Sequence, residues 1–436
     1  MYPRIALVLF LALACGTARA QEALTLDDAL RLALDRNYDV RTARNQAAIA
    51  ANNYSLGAAG FLPSLSLNAG YNGTLSDTRQ QFISSPDPVE RSGALTQRQN
   101  AGVQLGWTVF DGLGQFAAYR RLGALREQQE VRTAGTIEAV MAEVVVRYYG
   151  LAQQQEQLAV LEEAVALSEE RVRIAELRLD LGSASELEVR QARVDLNADR
   201  AALLRQQVAF TNEKMFFNQL LARPAATPFA VADTIALDPA LSFDALRSAA
   251  RVQNRALEAA RQDQQVAALS IREIRSERFP SVNLTAGYGY SNLNAQSGFV
   301  STNRSLDLTY GLSLSYDLFD GFDRRRRAQN ATVALANAEL ALQDLQTQLD
   351  AQLAGLDETY RSALQLIALE RENLEYARQN VDVALERFRL GTITSVELRE
   401  VQETLTQARS RLIAAQFEAK RAETELRRLS GTWAVR

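Results

Sequence analysis

The chain has 436 residues, no histidine, a single cysteine (Cys15) and a formal net charge of −4. Without histidine, most nucleophilic triads and nearly all zinc sites are excluded, and the sequence calls for no cofactor or metal. The slight acidic excess offers nothing to a nucleic acid, and past the first twenty residues no apolar run is long enough for a membrane helix.

Residues 1–20 read as a secretory signal, with Arg4, an apolar core and the small-x-small site Ala18-Arg19-Ala20. Cleavage after Ala20 leaves no cysteine and 46 basic against 52 acidic residues. A competing reading makes Cys15 a lipid-modified N-terminus. Residues 26–56 form the next expected element, a helix with Leu26, Leu30, Ala33, Leu34, Val40 and Ile49 at helical spacings and Asp27 and Asp28 in its first turn. It stops before Gly57, Gly60 and Pro63. After Pro63 the period changes to two, with Leu65, Leu67, Ala69 and Tyr71 on one face and Ser64, Ser66, Asn68 and Gly70 on the other. A polar loop over 74–99 leads to a second alternating run, Ala101, Val103, Leu105, Trp107 and Val109.

A long helix follows, with Val144, Leu151, Leu158, Val165, Val172 and Leu179 in strict heptads. Gly182 ends it, because glycine accepts the left-handed conformation that other residues resist. Ser183 and Ser185 are placed to cap a return helix that continues the heptads through Val189, Leu196, Leu203, Phe210 and Phe217. Residues 223–242, with Pro224, Pro228 and Pro239, read as a linker crossing the outside of the helical body.

Everything then repeats. A helix over 243–274 matches the first, aligning Asn254 with Asn37 and Pro280 with Pro63. Val282, Leu284, Ala286, Tyr288 and Tyr290 form the next alternating run, followed by a loop over 292–304 and the face Leu306, Leu308, Tyr310, Leu312, Leu314 and Tyr316. Heptads resume at Leu353, Tyr360, Ile367, Leu374, Val381 and Phe388, turn at Gly391, Thr392 and Thr394, and return through Leu398, Leu405, Leu412, Ala419 and Leu426. The domain reading is a signal at 1–20, a first repeat at 21–222, the linker, and a second repeat at 243–436.

Alternation of this kind suits a soluble sandwich or a membrane wall. Here the polar faces are nearly all small residues, the apolar faces carry Tyr71, Trp107, Tyr288, Tyr290, Tyr310 and Tyr316, which read as interface belts or merely as strand formers, and each run approaches the roughly 9–11 residues of a tilted membrane strand. That favours membrane strands, with both loops facing outward. Four strands do not close a barrel when the smallest known have about eight, so the barrel must be shared between chains.

The order helix, strand pair, long helix, glycine turn and return helix, duplicated behind a signal, resembles the TolC family of outer-membrane efflux proteins. The residues that carry the resemblance are Trp107-Thr-Val-Phe-Asp-Gly112, Tyr316-Asp-Leu-Phe-Asp-Gly321, the two turns, and Leu24-Thr-Leu-Asp-Asp-Ala-Leu30. It implies a mainly α fold with membrane β-strands: long helical hairpins forming a coiled-coil tunnel, and four strands per chain in a homotrimeric twelve-stranded barrel. It further implies an inner-membrane pump and a periplasmic adaptor (membrane fusion) protein docking at the tip turns Gly182, Ser183, Ser185, Gly391, Thr392 and Thr394.

Glu397 and Glu400 match acidic positions that in the family ring the closed periplasmic end, and Glu188 is the first-copy equivalent of Glu397. The alternative is a solvated face with Arg399 and Arg409 nearby. Where the best-known member carries the Tyr and Arg that hold its tip, this chain has Phe388 and Ile393. The run Arg324, Arg325, Arg326 and Arg327 reads as a contact for outer-membrane lipid headgroups, or as a hydrated collar partly neutralised by Asp320 and Asp323. The expected function is an exit duct without chemistry of its own. A periplasmic coiled-coil scaffold is the competing class, which explains the heptads but not the strands.

Overall fold

The computed structural model describes residues 23–84, 87–238 and 241–433. The expected signal, Cys15 and Pro239 lie outside them. In chain order the elements are β1 (Ala23–Leu24), α1 (Leu26–Arg36), α2 (Tyr38–Asn53), β2 (Ser64–Gln80), β3 (Val89–Phe110), α3 (Gly114–Asp180) and α4 (Glu186–Leu220). Then come β4 (Ala230–Val231), α5 (Phe243–Gln253), α6 (Arg255–Ser276), β5 (Ser281–Ala295), β6 (Thr302–Ser315), α7 (Asp323–Arg389) and α8 (Ser395–Ser430). The two long helices each have 67 residues, about 100 Å at the usual rise. Among the described residues no helix is long and apolar enough to cross a membrane.

Contacts divide the chain into two compact units that cut across the sequence repeats. Among the described residues, one takes in 23–45, 132–258 and 344–433, and the other 46–131 and 259–343. Each unit therefore draws on both repeats.

The regular structure of the first unit is helical apart from the short parallel pair β1–β4. The second-copy heptad from Leu353 to Phe388 is buried at every position, and Val189, Leu196, Phe217, Leu398, Leu405, Ala419 and Leu426 are buried on the return helices. Against expectation, each copy's opening helix breaks after one third of its length, at Asn37 and at Asn254. Asn37 Oδ1 accepts from Asp39 N (2.9 Å) and Val40 N (3.2 Å), which starts α2 afresh. Asn254 Oδ1 accepts from Leu257 N at 3.0 Å in the same way. Their amide groups donate to Leu220 O (2.8 Å) and Leu429 O (2.9 Å), so each break is tied to the last turn of its own repeat's return helix.

The linker also departs from expectation, because it enters the core rather than crossing outside it. Phe229 and Val231 are buried beside Tyr148, Phe217 and Leu24. The Tyr148 hydroxyl meets Asp233 Oδ2 at 2.7 Å and Leu24 O at 2.9 Å, and burial pushes its pKa well up.

The second unit carries an antiparallel sheet in the order β2-β3-β5-β6, with β2 and β6 at open edges. Its register sets apolar residues opposite one another on one face: Leu67 pairs Val103, Val103 pairs Tyr288, and Tyr288 pairs Leu308. The other face pairs Gly102 with Gly289 and Gln104 with Gly287. The strands run well into the segments expected as loops, with β2 continuing to Gln80, β3 beginning at Val89, β5 continuing to Ala295 and β6 beginning at Thr302. The extensions are polar, so alternation did not mark them; cross-strand pairs do, such as Arg79 with Glu90 at 3.1 Å.

Candidate functional site at the hairpin tips and the strand–helix junction

The two tip turns are built alike. At the first, Gly182 has φ +71°, and Ser183 N and Oγ both donate to Arg178 O, at 2.8 and 3.0 Å. At the second, Gly391 has φ +73°, and Thr392 N and Oγ1 donate to Arg387 O at 2.9 and 3.0 Å. These bonds satisfy the carbonyls that a helix end leaves open. Ser185 caps α4 by accepting from Glu188 N, and Thr394 caps α8 by accepting from Glu397 N.

The three candidate carboxylates take different surroundings. Glu397 folds back on its own turn: its Oε2 accepts from Thr394 N at 2.7 Å, closing a capping box, and these bonds hold its pKa down. Glu188 turns to Arg178, Oε1 lying 3.2 Å from Nη1. Glu400 is exposed and makes no ion pair among the described residues.

Arg178 was not legible as a tip residue. Its guanidinium lies 5.0 Å from the centre of the Phe388 ring while it also holds Glu188, so it joins the first hairpin to the second. Phe388 is fully buried in a cluster with Ile174, Ala175, Val189 and Leu398, and Ile393 packs half-buried against it. Farther from the tip, Arg399 forks onto Asp199 at 2.6 and 2.8 Å and reaches Glu403 at 2.7 Å. Asp199 also accepts from Ser168, so this pairing links α3, α4 and α8. Arg171 beside it is fully buried on Asp195 at 2.6 Å, and desolvation lowers its pKa.

At the strand–helix junction of the second unit, the arginine run is mostly engaged. Arg324 binds Asp320 at 3.1 Å and donates to Glu277 O and Asp317 O. Arg326 pairs with Asp323, and Arg327 pairs with Asp323 and Glu277. The acids of Asp320-Gly-Phe-Asp323 are held below the usual carboxylate range by these bonds. Arg325 alone of the four has no such partner among the described residues. The belt candidates Tyr71, Trp107, Tyr288, Tyr290, Tyr310 and Tyr316 are all exposed in the chain.

The outer membrane efflux protein family matches the sequence twice, over residues 29–215 and 246–432, one match per repeat. The chain belongs to that family. It is an outer-membrane efflux channel, an exit duct that extends into the periplasm. Protein CyaE of Bordetella pertussis is 26% identical over 404 residues, covering 91% of this chain and 82% of that one. Outer membrane protein TolC of Vibrio cholerae is 22% identical over 378 residues, covering 85% and 82%. Among solved structures, the Campylobacter jejuni CmeC outer membrane channel superposes with a TM-score of 0.78 at 15% identity, covering 93% of this chain and 85% of that one.

Proposed function

We propose that three copies of the chain close one barrel and one helical tunnel, and that substrates leave through it after delivery by an inner-membrane pump and a periplasmic adaptor. The observation that carries this reading is a second, unpartnered seam on the helices. On α4, Leu187, Val194, Val208 and Met215 are exposed at multiples of seven residues. On α7, Leu369, Tyr376 and Val383 are exposed at the same spacing, and Leu390 continues it just past the helix end. Each stripe is offset by two residues from its helix's buried heptad, which at 3.6 residues per turn sets the seams about 160° apart. A helix with seams on opposite sides packs against a neighbour on both, as in a closed ring, and a single chain fills only one. The open edges β2 and β6 support the same conclusion for the sheet, since unpaired edges invite further strands.

Within this duct the tip turns at Gly182, Ser183, Ser185, Gly391, Thr392 and Thr394 dock the adaptor, and Glu400 is the carboxylate free to act on passing ions. Glu397 and Glu188 act on the tip's local structure. A charge placed in the second seam tests the assembly: Val194→Lys and Val383→Lys should each shift the detergent-solubilised oligomer toward monomer, while Val194→Ile should not. Full retention of the oligomer by both lysine variants would refute the seam assignment.

A further inference from the structure

Two grooves flank the strand–helix junction of the unit that holds the sheet, and they differ in charge. One is lined by Asp111, Glu273, Glu277, Asp317, Asp320 and Asp323, and its arginines are paired with carboxylates. The other, of about 520 Å³, sets Leu113, Phe116 and Phe279 beside Arg120, Arg272 and Arg275. None of these three guanidinium groups meets a carboxylate among the described residues.

The second groove is built around a close approach of the backbone at Gly112. A Cβ on Gly112, at φ +70°, would lie 2.3 Å from Ser276 O and 2.7 Å from Phe279 Cβ, so only glycine lets the start of α3 meet the end of α6. Leu113 follows in the left-handed region, at φ +71°, and its side chain stays exposed. The groove lies where β3 ends at Phe110 and β5 begins at Ser281, the end of the sheet opposite Gln80 and Val89. Exposed Trp107 near the end of β3 supplies an amphipathic ring of the kind found at a membrane interface, and exposed Phe110, Phe116 and Phe279 add apolar surface there.

Unpaired guanidinium groups beside apolar surface suit a ligand with a phosphate at one end and hydrocarbon at the other. Arginine's planar fork matches phosphate geometry, and the exposed apolar side chains beside it offer contact to hydrocarbon. We propose that this groove holds a glycerophospholipid of the periplasm-facing leaflet. Arg120, Arg272 and Arg275 hold its phosphate, and Leu113, Phe116 and Phe279 carry the start of its acyl chains. This rests on the sheet being the membrane wall. It also moves the lipid-headgroup site away from the run at 324–327, whose charges are largely spent on Asp320, Asp323 and Glu277.

Native mass spectrometry of the full chain in mild detergent, supplied with phosphatidylglycerol, counts the retained lipid. The Arg120→Gln/Arg272→Gln/Arg275→Gln variant should retain about tenfold less, having lost three charge-assisted contacts, while Arg325→Gln retains the wild-type amount. Equal retention by the triple variant, or equal loss in Arg325→Gln, overturns the site. Neither diacylglycerol nor inorganic phosphate should displace the lipid. Displacement by inorganic phosphate marks a free-anion site and overturns the lipid assignment, and displacement by diacylglycerol overturns the role of the arginines. If the triple variant does not migrate as a heat-modifiable oligomer, photoactivatable phosphatidylglycerol on the wild-type protein takes its place. Crosslinks at 113–120 and 269–279 support the site, and crosslinks confined elsewhere overturn it. Heat-modifiable migration of the wild type reports the barrel separately, so a failed barrel and a failed lipid site are told apart.

Discussion

Asn254→Ala is the sharpest test of how the two repeats are held, because one side chain there does two jobs. Its Oδ1 caps α6 through Leu257 N at 3.0 Å, and its Nδ2 satisfies Leu429 O at 2.9 Å in a buried setting. Losing a cap acceptor costs about 1 kcal/mol, and orphaning a buried carbonyl adds about 1–3 kcal/mol, so the substitution should cost about 2–4 kcal/mol. Asn37→Ala should cost the same within about 1 kcal/mol, since it removes equivalent bonds to Val40 N and Leu220 O. Asn254→Asp keeps the cap acceptor but turns a carboxylate toward the Leu429 carbonyl, so it too should destabilise. Thermal melting followed by circular dichroism, with loss of the detergent-resistant oligomer as a second readout, measures all three. An unchanged midpoint in either alanine variant, or a cost in one copy only, would refute the reasoning.

Glu400→Gln should reduce cation selectivity and block by multivalent cations in single-channel recordings, because that carboxylate is exposed and uncommitted. Glu397→Gln should leave selectivity nearly unchanged and lower thermal stability, since its carboxylate closes the capping box; the opposite pattern would reverse the two roles. Glu170 on α3 accepts from Arg173 at 2.6 Å and from Arg389, the last residue of α7, at 3.0 Å, which hold it down to about 2 from the ordinary 4.5, so acid should loosen this pairing. A carboxyl with a lowered folded-state pKa contributes stability above its unfolded value and loses it as pH falls through the folded one. The difference in melting between wild type and Glu170→Gln should therefore be full at pH 6, shrink below about 4.5 and vanish near pH 2; a difference independent of pH would contradict the link.

Much of this was legible because the pattern is periodic and occurs twice. The heptads from Leu353 to Phe388 and the glycines at 182 and 391 needed only spacing and backbone rules. The break at Asn37 was hidden, because the apolar spacing from Leu26 to Ile49 runs through it without a proline or glycine. Strand ends were hidden for the opposite reason: outside an apolar environment a ladder such as Arg79–Glu90 needs no alternation. Side-chain partnerships across long separations left no local signal. Arg178 meets Phe388, 210 residues on, and Arg327 meets Glu277, 50 residues back. Pairing of Arg324 to Arg327 with Asp320 and Asp323 was one of two readings open in the sequence, but the further partner Glu277 left no local signal. The free arginines Arg120, Arg272 and Arg275 belong to no motif and come together only through the approach at Gly112.

Counting the copies in the folded particle tests the duct most directly. Mass photometry of the detergent-solubilised full chain, alongside conductance in planar bilayers, should find three chains in each conducting particle, because four strands and one filled seam per chain are incomplete alone. A stable, fully folded monomer with its sheet intact would contradict it.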